Sequence, residues 1–222
     1  MVISSTGKTA GTVGGGIVEK DVISKASGVM KTGKPMMLDF DLSGARKDLD
    51  SICGGNMSIF LEPFGLVKSL LIMGAGHVGS AIAALASKSG FDVTLVDPRA
   101  EYIAPERLRK EIGDDVNGIA ASPDDFEDRV KITDASFVVI CTSGHASDRE
   151  WLGAVLRKSP RYVGMLGSRN KARAIFEALE AGGTARERLD TVHTPIGLDI
   201  GAITPEEIAV SVVAELIKEW RS

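Results

Sequence analysis

The chain has 222 residues, 44% of them hydrophobic and 25% charged, the make-up of a globular protein with one large domain or one domain and a smaller companion. Its net charge of −4 argues against nucleic acid or an anionic membrane as partner, since no basic stripe would supply the counterion-release term. No apolar run has the length of a bilayer span, and the start lacks a basic segment followed by an apolar one, so a reducing, cytoplasmic location is expected. The two cysteines, Cys53 and Cys141, make neither a disulfide framework nor a paired-cysteine zinc site.

In chain order, Val18, Val22, Ile23, Ala26 and Met30 recur at helical spacing, and Gly33 and Pro35 end that helix. Met36–Leu42 and Met57–Leu61 read as strands. The style changes near Glu62-Pro63-Phe64-Gly65, after which strands and helices alternate. Ser69–Met73 is a continuous apolar run, as expected of a strand buried on both faces of a parallel sheet. A helix follows over His77–Lys88 and a strand over Asp92–Val96. Ser122-Pro123-Asp124-Asp125 reads as an N-cap, a proline at the first helical position and an acidic first turn. Strands over Phe137–Thr142 and Arg161–Met165 each lead into a helix, over Asp148–Lys158 and Asn170–Ala181. Thr204-Pro205-Glu206-Glu207 fits a capping box and opens a last helix reaching Trp220. The alternation predicts an α/β fold: a Rossmann-type, doubly wound parallel sheet over residues 66–222, preceded by a smaller α+β domain over residues 1–65.

Gly74-Ala75-Gly76-His77-Val78-Gly79 follows an apolar strand directly and opens a helix, the context that gives a GxGxxG pattern its meaning. The first glycine permits a tight turn, the second lets a pyrophosphate approach the backbone, and the third lets helix and strand pack closely. Exposed amides and the positive helix end, with His77 and Val78 in its first turn, favour an anionic ligand. Asp97 ends the next strand, 18 residues beyond Gly79. A carboxylate there can accept ribose hydroxyls and repel a 2′-phosphate, which favours NAD or a related dinucleotide over NADP, a preference that nearby Arg99 softens. The competing reading is a glycine turn that serves the fold alone.

No hydride-transfer centre is evident. Such a centre needs a group to handle the substrate proton, and the chain has three histidines. His77 sits at a helix N-terminus, which disfavours its charged form. His145, beside Gly144 in Thr142–Asp148, follows a strand at the carboxyl edge and is the best proton-transfer candidate, with loop capping as the alternative role. His193 precedes Thr194-Pro195 and reads as structural.

Two glycine clusters, Gly14-Gly15-Gly16 and Cys53-Gly54-Gly55, mark places where φ must be positive or a ligand must approach the backbone. Neighbouring amides could stabilise a Cys53 thiolate, a soft ligand suited to a redox metal, while a small core residue is the ordinary reading of a lone cysteine. Cys141, ending Phe137–Cys141, reads as inert core. Glu19, just inside the first helix, is either a pocket carboxylate or an ordinary first-turn acid.

Gly11–Gly16, Ser51–Gly55, Gly74–Gly79, Tyr162–Arg169, Pro195–Ala202 and Thr204–Val210 occur in that order. This series resembles the xanthine dehydrogenase accessory factors of the XdhC/CoxI type, over nearly the whole chain. The resemblance implies a molybdenum-cofactor chaperone rather than an enzyme, one that protects the cofactor, supports its sulfuration and helps insert it into xanthine dehydrogenase-type hydroxylases. It also implies a molybdenum hydroxylase and a cysteine desulfurase as partners. Gly14, Gly15, Gly16, Cys53, Gly54 and Gly55 become the implied cofactor contacts, with Cys53 near the molybdenum. Two departures stand out. Ile17 occupies the place where many members have a second cysteine, and the segment that normally precedes the triple glycine, with its Gly-Ser-x-Pro-Arg-like stretch, is absent. A shortened start could remove a strand or an anion-binding arginine, and could expose a sheet edge that favours a homo-oligomer. The alternatives are an NAD-dependent oxidoreductase using His145, and a non-catalytic NAD or redox sensor using Cys53 as its thiol.

Overall fold

A computed structural model gives the three-dimensional arrangement, and the structure describes residues 1–4, 6–42, 55–65 and 68–222. The chain divides into two compact units, Met1–Leu66 and Val67–Trp220.

In the first unit, β1 (Val2–Ile3) pairs antiparallel with β2 (Thr9–Ala10), α1 follows over Gly16–Thr32, and β3 (Met36–Asp41) pairs antiparallel with β4 (Asn56–Leu61). Val22, Ala26 and Val29 of α1 are buried with Leu61, so the helical spacing seen in the sequence marks the buried stripe. Gly33 ends α1 in the left-handed conformation, φ 68°, and returns its amide to the Val29 carbonyl.

The second unit runs β5 (Lys68–Met73), α2 (His77–Lys88), β6 (Phe91–Asp97), a 3-10 turn (Ala100–Tyr102), α3 (Pro105–Glu111), β7 (Val116–Ala120) and α4 (Phe126–Arg129). It continues through β8 (Phe137–Ile140), α5 (His145–Leu156), β9 (Tyr162–Met165), α6 (Arg169–Ala181), α7 (Arg186–Leu189), β10 (Val192–His193) and α8 (Pro205–Arg221). Its six strands are all parallel, in the order β10-β9-β8-β5-β6-β7. Read from β7, that is the 3-2-1-4-5-6 order of a Rossmann sheet.

Side chains alternate across each strand, so β5 feeds two cores. Leu70 and Ile72 pack with Ile82 and Ala83 of α2 and Val212 and Leu216 of α8. Leu71 and Met73 pack on the other face with Trp151 and Leu152 of α5 and Ile175 of α6. Both sets are almost wholly buried, which is why β5 reads as an unbroken apolar run. The predicted doubly wound α/β sheet is therefore present.

Two local expectations are corrected, and two elements were not anticipated. Ser122 does not cap a helix, because Asp125 Oδ1 accepts both its amide (2.6 Å) and its hydroxyl (2.8 Å); helix α4 begins only at the buried Phe126. Helix α5 starts at His145, three residues ahead of the expected Asp148. The strand β7 and the helix α3 were hidden by polar and glycine residues in Val116-Asn117-Gly118 and by the short length of α3. The Thr204 capping box forms as expected: Thr204 accepts the Glu207 amide, and Glu207 accepts the Thr204 amide.

Candidate functional site

From β5 the sheet is built outward in both directions, with β6 and β7 on one side and β8, β9 and β10 on the other. The crevice beyond the carboxyl ends of β5 and β8 is thus the topological switch point, where open α/β sheets bind ligands. The structure brings two predicted segments to this place, the turn Gly74–Gly79 after β5 and the loop with Gly144 and His145 after β8.

Each glycine of the turn has a separate physical reason. Gly74 has φ +112°, and a Cβ there would lie 2.7 Å from the Cys141 carbonyl oxygen on the neighbouring strand's end. At Gly79 an added Cβ would lie 1.9 Å from the Gly74 carbonyl oxygen, so only glycine lets α2 start this close to β5. Gly76 has ordinary backbone angles, φ −73°, and an added Cβ would meet nothing within 4 Å. The space over Gly76 is the cradle a diphosphate would fill, and the residues present fit that group.

Asp97 behaves differently from the expectation. Its side chain turns inward, with 2% of its surface exposed, and Oδ2 accepts the Ala75 amide of the glycine turn at 2.9 Å. Arg99 closes over it, donating from its amide (3.0 Å) and Nε (2.8 Å) to Oδ1 and from Nη2 (2.8 Å) to Oδ2. Burial alone would raise the Asp97 pKa, but these donors outweigh it and hold the carboxyl below its ordinary range. The Arg99 guanidinium lies over the Tyr102 ring, 3.7 Å from its centroid, and Arg107 lies over the same ring at 4.8 Å. Arg107 also reaches the Ala75 carbonyl at 3.3 Å, so the turn is held by β6 and α3 together.

Across the switch point, Asp148 does the equivalent work. It is fully buried, and its Oδ1 accepts the Thr142 amide (3.1 Å) and hydroxyl (2.5 Å), fixing the loop after β8. Lys171, in the first turn of α6, forms an ion pair with Oδ2. Sequence reading missed this pairing, since its partners lie on different helices. His77 and His145 each occupy the first position of a helix whose cap is a glycine, are exposed, and make no hydrogen bond among the described residues. The loop around His145 is therefore capped by Asp148, and His145 stays free toward solvent.

Cys141 is buried beneath the turn, its thiol 3.5 Å from the Gly74 carbonyl. Burial, with the charges of Asp148 and Asp97, pushes it up to about 12, so it is inert core as expected. His193 ends the edge strand β10, its Nδ1 3.1 Å from Glu215, which also accepts the Tyr162 hydroxyl (2.5 Å) and the Gly197 amide (2.8 Å).

In the first unit, Gly14, Gly15 and Gly16 all have positive φ (113°, 72° and 65°), with open space where each Cβ would be. Their loop is closed by Glu19, which accepts the Thr12 hydroxyl (2.6 Å) and the Val13 (3.4 Å) and Gly15 (3.3 Å) amides. Glu19 therefore holds the loop's own donors. Gly55 has φ 139° and an open Cβ direction. Cys53 and Gly54 lie outside the described residues. Among the described residues no group of three or more His, Cys, Asp or Glu side chains could hold a metal ion, and no helix is long and apolar enough to cross a membrane.

Sheet order and turn define a Rossmann-type α/β protein with a small α+β unit ahead of it. The chain belongs to the XdhC family: the XdhC Rossmann domain matches residues 70–216, and the XdhC and CoxI family matches residues 1–41. It is 34% identical over 229 aligned residues to the uncharacterised protein YqeB of Escherichia coli K12, covering 98% of this chain and 40% of that protein. It is 29% identical to a Bacillus subtilis 168 protein named as a probable xanthine dehydrogenase subunit, over 72% of this chain and 46% of that one. The chain thus spans less than half the length of these curated relatives. A crystal structure named as a xanthine dehydrogenase from Bacillus halodurans shares the fold, with TM-score 0.61 and 24% identity over 99% of this chain and 85% of that one.

Proposed function

We propose that this protein is an accessory factor in the maturation of a xanthine dehydrogenase-type molybdenum hydroxylase, and that its Rossmann unit holds a dinucleotide or the nucleotide part of a dinucleotide-form molybdenum cofactor. One observation carries the reading: an XdhC-family Rossmann domain keeps its phosphate cradle open at Gly76 while both flanking glycines are locked into the fold. The turn's amides and the N-terminus of α2 would bind the diphosphate, and Gly144 and His145 would face it from the β8 side. Molybdenum cofactor, when bound, supplies the metal-sulfur chemistry of the client enzyme. The Cys53 thiolate would serve as the soft contact to that metal or its sulfur, with Gly55 and the Gly14–Gly16 loop leaving the backbone approachable. A cysteine desulfurase would be the donor partner.

The test is reconstitution. Molybdenum cofactor and cofactor-free hydroxylase are mixed with or without this protein, and hydroxylase activity is followed. The protein should raise the yield of active enzyme, and Cys53→Ala should remove that gain. No gain with the unaltered protein would overturn this reading, and NADH turnover with carbonyl compounds that His145→Ala abolishes would put the oxidoreductase one in its place.

A further inference from the structure

The chemistry around Asp97 defines which dinucleotide the turn accepts, an inference that rests on the dinucleotide reading above. A carboxylate at the end of the second Rossmann strand ordinarily accepts ribose hydroxyls, and a bare one repels a 2′-phosphate. Here the carboxylate is not bare. An ionised carboxyl offers about four acceptor positions. Asp97 fills them with the Ala75 amide, the Arg99 amide, Arg99 Nε and Arg99 Nη2, all within 3.0 Å. A ribose hydroxyl could reach it only by displacing Arg99, at the cost of a charge-assisted bidentate pair.

What faces outward at this strand end is the guanidinium. The Arg99 side chain is 41% exposed where Asp97 is 3% exposed. Two of the five guanidinium hydrogens, one on Nε and one on Nη2, go to Asp97, which leaves three uncommitted among the described residues. The plane is held from below by the Tyr102 ring at 3.7 Å, so the donors are fixed before any ligand arrives. The other nearby cation, Arg107, is already engaged with Glu111, Ser80 and the Ala75 and Tyr102 carbonyls. Asp97 and Arg99 cancel in charge, so the repulsion expected of the carboxylate is gone while a forked donor remains.

We propose that the dinucleotide held on this turn carries a phosphate on its adenosine ribose, as NADP does, and that Arg99 reads it. Asp97 is a positioning residue: it sets the guanidinium and ties it to the amide of Ala75.

Calorimetric titration of the full chain with NADP+, NAD+, 2′,5′-ADP and AMP tests this without altering the protein. A charge-assisted phosphate contact should make NADP+ about tenfold or more tighter than NAD+, and 2′,5′-ADP likewise over AMP. Arg99→Gln should abolish or invert the NADP+ preference, since an uncovered Asp97 can accept ribose hydroxyls and repels a 2′-phosphate, with an unchanged circular dichroism spectrum showing that the fold holds. NAD+ binding as tightly as NADP+ to the unaltered protein overturns the inference and leaves the dinucleotide reading standing. Failure of all four ligands to bind overturns the inference and the adenine-dinucleotide form of the reading, leaving the nucleotide part of a dinucleotide-form molybdenum cofactor as the occupant. An NADP+ preference that survives in Arg99→Gln removes Arg99 from the role.

Discussion

Asp148 and Lys171 join the first turns of α5 and α6 through an ion pair whose acidic partner is fully buried. Because Asp148 also holds the Thr142 amide and hydroxyl, one carboxylate fixes three segments at the carboxyl edge of the sheet. Removing the cation strands a buried charge, and such losses cost about 3–5 kcal/mol. Lys171→Met should therefore be destabilised by that order in urea unfolding, with much of the loss recovered in the double variant Asp148→Asn, Lys171→Met. A Lys171→Met protein within about 0.5 kcal/mol of the parent would mean the pair carries no structural weight.

Two glycines of the turn, Gly76 and Gly79, should separate cleanly by substitution. Gly79→Ala drives a methyl group to 1.9 Å from the Gly74 carbonyl, and overpacking of this kind costs about 1–3 kcal/mol or more. Gly76→Ala meets nothing in the protein, so its melting temperature should stay close to the parent while dinucleotide affinity falls about tenfold or more. Equal melting temperatures for the two variants would show that the helix start is looser than its geometry.

Asp97 should leave a signature in the pH dependence of stability. Its folded pKa lies below the ordinary carboxylate value of about 3.9, so its stabilisation is complete above that value and is lost as pH falls through the folded pKa. Asp97→Asn should then be less stable than the parent at pH 7, and the difference should shrink steadily once the pH drops below about 4. A stability gap that stays constant from neutral to acid pH would count against the charged form as the stabilising one.

Thiol chemistry gives a fourth test. Cys141 is buried and its pKa is pushed up to about 12, so at pH 8 it has almost no thiolate to react. Peptide mapping after iodoacetamide treatment should find Cys141 unmodified in the native protein and modified after unfolding. Rapid native labelling would place it in contact with solvent.

The sheet and the glycine turn were legible because their causes are local. An apolar run, three spaced glycines and a capping box each state their own geometry, and Thr204 and Gly79 behave as their neighbours in sequence dictate. Asp97 was legible as a residue of interest but not in its orientation, because that depends on a guanidinium folding back from Arg99 and a ring supplied by Tyr102. The Asp148–Lys171 pair spans 23 residues and two helices, and no periodicity announces it. β7 escaped because Gly118 is there for the close approach of the Ile103 carbonyl, 2.6 Å from an added Cβ, rather than for strand propensity.

The position of β5 also sets the order in which this domain can be made. It is the first strand of the unit to be synthesised, yet it pairs on one side with β8, where Leu70 meets Phe137 after 67 further residues. On the ribosome β5, β6 and β7 can associate early, leaving one edge of β5 unpaired until β8 emerges, and such edges are where nascent chains aggregate. Chains stalled before Phe137 should be protease-sensitive at β5 and those stalled well past β8 resistant, whereas equal resistance would show that this edge is shielded before its partner exists.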